Sequence, residues 1–158
     1  MDLLTVEIPG RGKLEIEHLV LDFNGTMAVD GTLLPGVEER LNTLSEQLTI
    51  HILTADTFGT GQQACRNIRG SVHILSPGEG STQKEAFITR LGENRTATVG
   101  NGTNDTRMLK KAALGIVVLG PEGTSVQALL AADVVVRDIC DGLDMLLHPK
   151  RLVATLRT

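Results

Sequence analysis

The strongest constraint in this sequence is a repeating alternation. Short apolar runs that suit strands keep exchanging with segments of helical period, and only a few residues link them. His18-Leu19-Val20-Leu21-Asp22-Phe23 is an apolar run of the kind found in strands buried on both faces. After Pro35 the period changes: Val37, Leu41 and Leu44 fall on one helical face, with Glu38, Glu39 and Arg40 on the other. The exchange then continues. Strands are expected at Thr49–Leu53, Ser71–Leu75, Thr96–Val99, Gly115–Leu119 and Asp133–Val136. Helices are expected at Gly61–Ile68, Ser81–Leu91 (capped by Ser81 or Thr82), Asn104–Ala113 and Thr124–Ala132. Such a chain folds as an α/β protein: a three-layer, Rossmann-like, doubly wound and mainly parallel sheet covered by helices on both faces.

Two elements decorate this core. Leu3–Ile8 and Leu14–Glu17 alternate around the turn Pro9-Gly10-Arg11-Gly12, which predicts an N-terminal β-hairpin. Met27–Leu34 holds an Asp30-Gly31 turn between short apolar pairs, which predicts a small flap hairpin after the first core strand. The tail is helical, with a break at Pro149. The 158 residues read as one domain: residues 1–17 hairpin, 18–138 core, 139–158 C-terminal helices. The hairpin and the stretch Leu152–Leu156 are candidate contact surfaces for a homo-oligomer.

Charge and composition narrow the function. The 15 basic and 19 acidic residues leave a net charge of −4, so no basic excess exists to neutralise nucleic-acid phosphates. The chain has no Trp, no Tyr and three Phe, which gives little for stacking bases. No nucleic-acid partner is expected. Cys65 and Cys140 stand apart with no metal-ligand spacing, and His18, His51, His73 and His148 show none either. Zinc is therefore not expected, and these side chains read as structural. No apolar run reaches the ~20 residues of a membrane span, and residues 1–8 do not read as a signal peptide. The cytosol is the expected compartment.

In doubly wound sheets, ligands bind beyond the carboxyl ends of the strands. Those ends carry Asp22-Phe23-Asn24-Gly25-Thr26, then Thr54-Ala55-Asp56, and later Gly100-Asn101-Gly102-Thr103-Asn104-Asp105. Lys84 lies near the start of the helix before that third segment. A carboxylate at a strand end can attack phosphorus, and an ordinary aspartate with a pKa of about 4 is ionised at neutral pH.

In order and spacing these segments resemble the haloacid-dehalogenase-like (HAD) superfamily, and within it the phosphorylation domain of P-type ATPases. The resemblance covers roughly residues 18–138. It implies an Mg²⁺-dependent phosphohydrolase or phosphotransferase acting on a phosphorylated substrate. Asp22 would be the nucleophile and a metal ligand, and the main-chain carbonyl of Asn24 a second ligand. Thr54 and Lys84 would hold the phosphoryl group. Asn101 and Asp105 would complete the metal site, directly or through water.

Two residues depart from the family pattern. Asn24 stands where phosphatases of the superfamily have the Asp that serves as general acid and base. Losing such a group typically costs 10²–10⁴-fold, so turnover is expected to be slow. Asn101 stands where the family has a metal-binding Asp, which weakens the expected Mg²⁺ site, and Asp56 is a source of compensating charge. The few residues between Thr26 and Pro35 leave no room for a nucleotide-binding domain, and the stretch between Thr54 and Lys84 leaves none for a cap domain. An ATP-driven pump is thereby excluded, and an uncapped site is expected. The alternative reading is a non-catalytic phosphate- or metal-binding regulatory domain, or a stand-alone partner of a transporter.

Overall fold

The computed structural model describes residues 3–56 and 58–158. Met1, Asp2 and Thr57 lie outside the described residues, and with the first two goes the start of the expected 1–17 hairpin. The central sheet is built from β3 (His18–Asp22), β6 (Thr49–Thr54), β7 (Ser71–Ile74), β8 (Thr96–Gly100), β9 (Leu114–Val118) and β10 (Val134–Val136). Its order is β10-β9-β8-β3-β6-β7, and every pairing is parallel. The chain leaves β3 toward β6 and β7, then returns to the other side of β3 for β8, β9 and β10. The direction of winding therefore reverses between β3 and β8, which is where a doubly wound sheet opens a crevice at its carboxyl edge. Asp22 and Asn101 sit at that edge.

Side-chain alternation explains the layers. Leu19, Leu21, Ile50, Ile52, Ala97, Val99, Ile116 and Val118 point to one face. They pack there with Val37, Leu41 and Leu44 of α1 (Val37–Leu44) and with Ile139, Leu143 and Leu146 of α6 (Ile139–Leu147). Val20, Leu53 and Val117 point to the opposite face. They meet Ile88 of α3 (Gly80–Leu91), Met108 and Leu109 of α4 (Thr106–Lys111) and Ala128 of α5 (Val126–Ala131).

Both predicted hairpins are present. The first joins β1 (Leu4–Ile8) to β2 (Gly12–Ile16). Its apolar side, with Leu4, Val6, Ile8, Leu14 and Ile16, is buried in the main core together with Leu152 of α7 (Pro149–Leu156). The surfaces read as oligomer contacts are thus largely covered from within the chain. The flap joins β4 (Ala28–Val29) to β5 (Thr32–Leu33). Asp30 (φ 49°) and Gly31 (φ 82°) both take the left-handed conformation that a two-residue hairpin turn demands.

Three helical expectations need correction. The helix expected over 61–68 is the shorter α2 (Thr60–Ala64). Asn42 captures the chain beyond it: its Nδ2 donates to Asn67 O, and its Oδ1 accepts from Arg69 N. Neither Ser81 nor Thr82 caps α3, which starts at Gly80; instead Gln83 reaches back, accepting from Ser76 N and donating to Ser76 O. The helix expected over 104–113 is a 3₁₀ turn at Thr103–Asp105 followed by α4. The turn is held because Asp105 binds other parts of the fold.

Candidate active site

Asp22 ends β3 and is paired in register with Leu53, which places it beside Thr54. Its side chain is 16% exposed and opens into a cleft of about 590 Å³ that Asn24, Thr54, Asp56, Lys84 and Asn101 also line. The aspartate is held from two sides. Lys84 Nζ donates to Oδ1 at 2.9 Å, and Thr26 Oγ1 donates to Oδ2 at 3.3 Å. Lys84 is five residues into α3 and almost fully buried. A lysine there is usually solvated, but this one also donates to Asp105 Oδ1 at 2.7 Å. Asp105 has no exposure at all. Its Oδ2 accepts from the main-chain N–H groups of Asn101 and Gly102, each at 3.0 Å. Asp105 therefore stands one layer behind the cleft, holding Lys84 and the turn after β8.

Asn101 is oriented from outside. Its Nδ2 donates to Gly123 O at 3.0 Å, which leaves Oδ1 facing the site, where Thr26 Oγ1 lies 3.1 Å away. The single Thr26 proton is thus shared between Asp22 and Asn101. Gly25 makes this proximity possible. With φ of 85° it takes a left-handed turn, and a Cβ there would stand 2.6 Å from Asn101 Nδ2. Thr54 Oγ1 accepts from Asp56 N at 3.1 Å, so its own O–H is not the donor in that bond.

Asn24 does not aim its side chain at Asp22. Its Oδ1 accepts from Gly31 N at 3.0 Å, pinning the flap turn. Its main-chain oxygen accepts no hydrogen bond among the described residues.

The electrostatics depart from the sequence expectation. Burial first, and then the neighbouring Asp105, push the Asp22 carboxyl up to about 7, against the downward pull of Lys84 and Thr26. The ordinary acidity expected for Asp22 is thus not what this environment gives. Burial alone would lower Lys84, but its two carboxylate partners outweigh that and raise it.

The site fits Mg²⁺. The oxygens that the cleft-lining residues offer beside Asp22 are hard: the Asp22 carboxylate, the unengaged Asn24 carbonyl and the Asn101 amide oxygen. Mg²⁺ takes such ligands, completed by water and substrate phosphate. Among the described residues no group of three or more His, Cys, Asp or Glu is placed to hold a metal.

The structure thus brings Asp22, Asn24, Thr54, Lys84, Asn101 and Asp105 to one end of the sheet. Sequence reasoning missed Thr26 as the bridge from Asp22 to Asn101. It also missed the loop after β9, where Gly123 O and Ser125 N bind Asn101. The turn cluster Gly120-Pro121-Glu122-Gly123, directly after a strand, was the available signal. Cys65 is buried and Cys140 half-buried, both free thiols.

No protein-family profile matches the chain. Among solved structures it resembles 3-deoxy-D-manno-octulosonate 8-phosphate phosphatase of Moraxella catarrhalis, in complex with a magnesium ion, a phosphate ion and a KDO molecule. The TM-score is 0.71 at 15% identity, covering 90% of this chain and 94% of that one. The fold is that of the haloacid-dehalogenase-like superfamily. A Legionella pneumophila structure described as a HAD subfamily III A hydrolase agrees, with TM-score 0.71, 14% identity and coverage of 89% and 87%. So does a zinc-transporting P-type ATPase, with TM-score 0.63, 24% identity, 78% of this chain and 20% of the pump.

Sequence relatives include two uncharacterized proteins of Methanocaldococcus jannaschii. One is 52% identical over 59 residues, which is 37% of this chain and 63% of that protein. The other is 54% identical over 39 residues, which is 25% of this chain and 89% of that protein. The copper-exporting P-type ATPase of Staphylococcus aureus is 31% identical over 139 residues. That alignment spans 85% of this chain but only 16% of the exporter. No helix among the described residues is long and apolar enough to cross a membrane.

Proposed function

We propose that this chain is an Mg²⁺-dependent phosphotransfer protein in which Asp22 accepts a phosphoryl group as an aspartyl-phosphate that hydrolyses slowly. One observation carries this: a strand-end carboxylate faces an open cleft with a buried ammonium 2.9 Å away. The Asp22 carboxylate forms the new O–P bond. Lys84 offsets the charge of the incoming phosphoryl oxygens, and the Thr54 hydroxyl donates to one of them. Asp105 keeps Lys84 in position and holds the turn that presents Asn101. Asp22, the Asn24 carbonyl and Asn101 would hold Mg²⁺, whose charge would screen the repulsion between carboxylate and phosphate. Hydrolysis needs a base to activate water, and an amide at position 24 cannot take the proton, so the intermediate persists.

The test is incubation with acetyl phosphate, and separately beryllium fluoride, with and without Mg²⁺. Intact mass and thermal shift are the readouts. An Mg²⁺-dependent phosphoryl adduct that Asp22→Asn removes is expected. Asn24 also favours a second reading, a phosphate- or metal-binding regulatory domain, because its amide is tied to Gly31 rather than free for catalysis. Stabilisation by beryllium fluoride with no covalent adduct from any donor would select that reading.

A further inference from the structure

We infer that the donors able to phosphorylate Asp22 are those whose leaving group departs as a stable anion: acyl phosphates, aryl phosphates and phosphoanhydrides, as against alkyl phosphates. This rests on the proposed function and concerns its first half-reaction. There, a lone pair of the Asp22 carboxylate forms the O–P bond while the bond from phosphorus to the leaving oxygen breaks. That oxygen takes both bonding electrons. An alkoxide formed this way needs a proton at once, whereas a carboxylate, phenolate or phosphate does not.

Among the described residues that line the cleft, none is placed to supply that proton. In-line displacement puts the leaving oxygen on the far side of phosphorus from Asp22. Position 24, where an acid would stand, is an amide with its oxygen engaged by Gly31 N. Lys84 lies on the attacking side, bound to Asp22 Oδ1 and, at 2.7 Å, to Asp105 Oδ1; to serve the leaving oxygen it would have to abandon both. Asp56 faces the cleft, but its Oδ1 accepts from Phe58 N at 2.8 Å. That bond and the Thr60 hydroxyl hold its carboxyl below the usual range, so it stands there ionised. No His or Cys is among the described residues that line the cleft, and the chain has no Tyr. Thr54 and Ser76 offer only weakly acidic hydroxyls. The octulosonate 8-phosphate named for the Moraxella catarrhalis phosphatase is an alkyl phosphate. By this inference the present site does not act on that class at a comparable rate.

The experiment uses the full chain with Mg²⁺ and follows phosphoenzyme by intact mass. The donors are acetyl phosphate, a series of substituted phenyl phosphates, and glycerol 1-phosphate. Acetyl phosphate and the most acidic phenol esters are expected to label Asp22 at least ~10²-fold faster than glycerol 1-phosphate, the lower bound of a missing general acid. The logarithm of the phenyl rates should fall steeply as the phenol becomes less acidic. In Asn24→Asp the slope should flatten and the alkyl donor should gain most. A flat series in the unmodified protein, or glycerol 1-phosphate within ~10-fold of acetyl phosphate, overturns the inference and leaves Asp22 as nucleophile. A steep series left unchanged by Asn24→Asp also overturns it, because the missing proton would not be the cause. Labelling by no donor at all, together with no response to beryllium fluoride, overturns the proposed function and this inference with it.

Discussion

Lys84 donates to Asp105 at 2.7 Å in a fully buried contact, deeper than its 2.9 Å contact with Asp22. One ammonium thus separates two carboxylates that would otherwise repel each other out of water. Removing a single partner of a buried ion pair costs about 3–5 kcal/mol, because the charge left behind stays buried. Lys84→Met is expected to lose that much in urea unfolding. Adding Asp105→Asn should recover part of the loss, since the pair is coupled and the effects cannot add. A Lys84→Met protein as stable as the parent would show that the contact does not matter.

The parallel α/β sheet and both hairpins were legible because strands buried on two faces read as continuous apolar runs, and because Asp30-Gly31 has few conformational options. Asp22, Thr54 and Asn101 were legible for a related reason: each directly follows or ends such a run. What escaped was whatever depends on contacts between distant segments. Thr26 meets Asn101 across 75 residues. Asn24 reads as a lost acid, yet its side chain serves the flap. The acidity of Asp22 follows from burial and from Asp105, which sequence spacing does not report. The 61–68 helix was overextended because Asn42, far upstream, diverts its end.

Removing the nucleophile should stabilise the metal-free fold. The folded-state pKa of Asp22 is raised from 3.8 to about 7, so its favourable contribution is present below pH ~4 and is lost as pH rises toward 7. At about 1.4 kcal/mol per unit, as much as ~4 kcal/mol is at stake. In EDTA at pH 8, the amide introduced by Asp22→Asn carries no charge to bury, and the variant's urea midpoint should exceed the parent's; at pH 4 the two should coincide. Equal midpoints at pH 8 would contradict the assigned environment. Excess Mg²⁺ should narrow the gap, since it binds the folded parent and not the variant's amide.

Asn101→Asp tests the metal site from the other side. A second carboxylate beside Asp22 should tighten Mg²⁺ about tenfold or more by calorimetry, since ligand charge count sets affinity at such sites. The same change removes the N–H that Gly123 O accepts, a loss of about 1 kcal/mol to the metal-free fold. Tighter binding with lower unliganded stability is the expected pair of results. Unchanged Mg²⁺ affinity would place Asn101 outside the coordination shell.

The histidines form a chain that their separation in sequence hides. His18 Nδ1 lies 3.1 Å from His51 Nε2, and His51 Nδ1 lies 3.3 Å from His73 Nε2, while Phe87 of α3 meets His51 edge-on at 5.4 Å and tilts against His73 at 4.8 Å. A neutral chain is satisfied when each ring passes one proton in the same direction. Burial first, then His18 and His73, lower His51 from 6.5 to about 4. Burial first, and then Arg90, whose guanidinium lies over the Phe87 ring, also lower His73. A depressed His pKa gives stability that is complete above the unfolded value near 6.5 and lost as pH falls toward 4. The loss is up to ~3 kcal/mol. Asp22 runs the opposite way over the same window, so the measurement belongs in an Asp22→Asn background. There the urea midpoint should drop between pH 7 and pH 5, and adding His51→Phe should flatten that drop. An unchanged slope would mean that His51 does not stay neutral in the fold, and that acid sensitivity arises elsewhere.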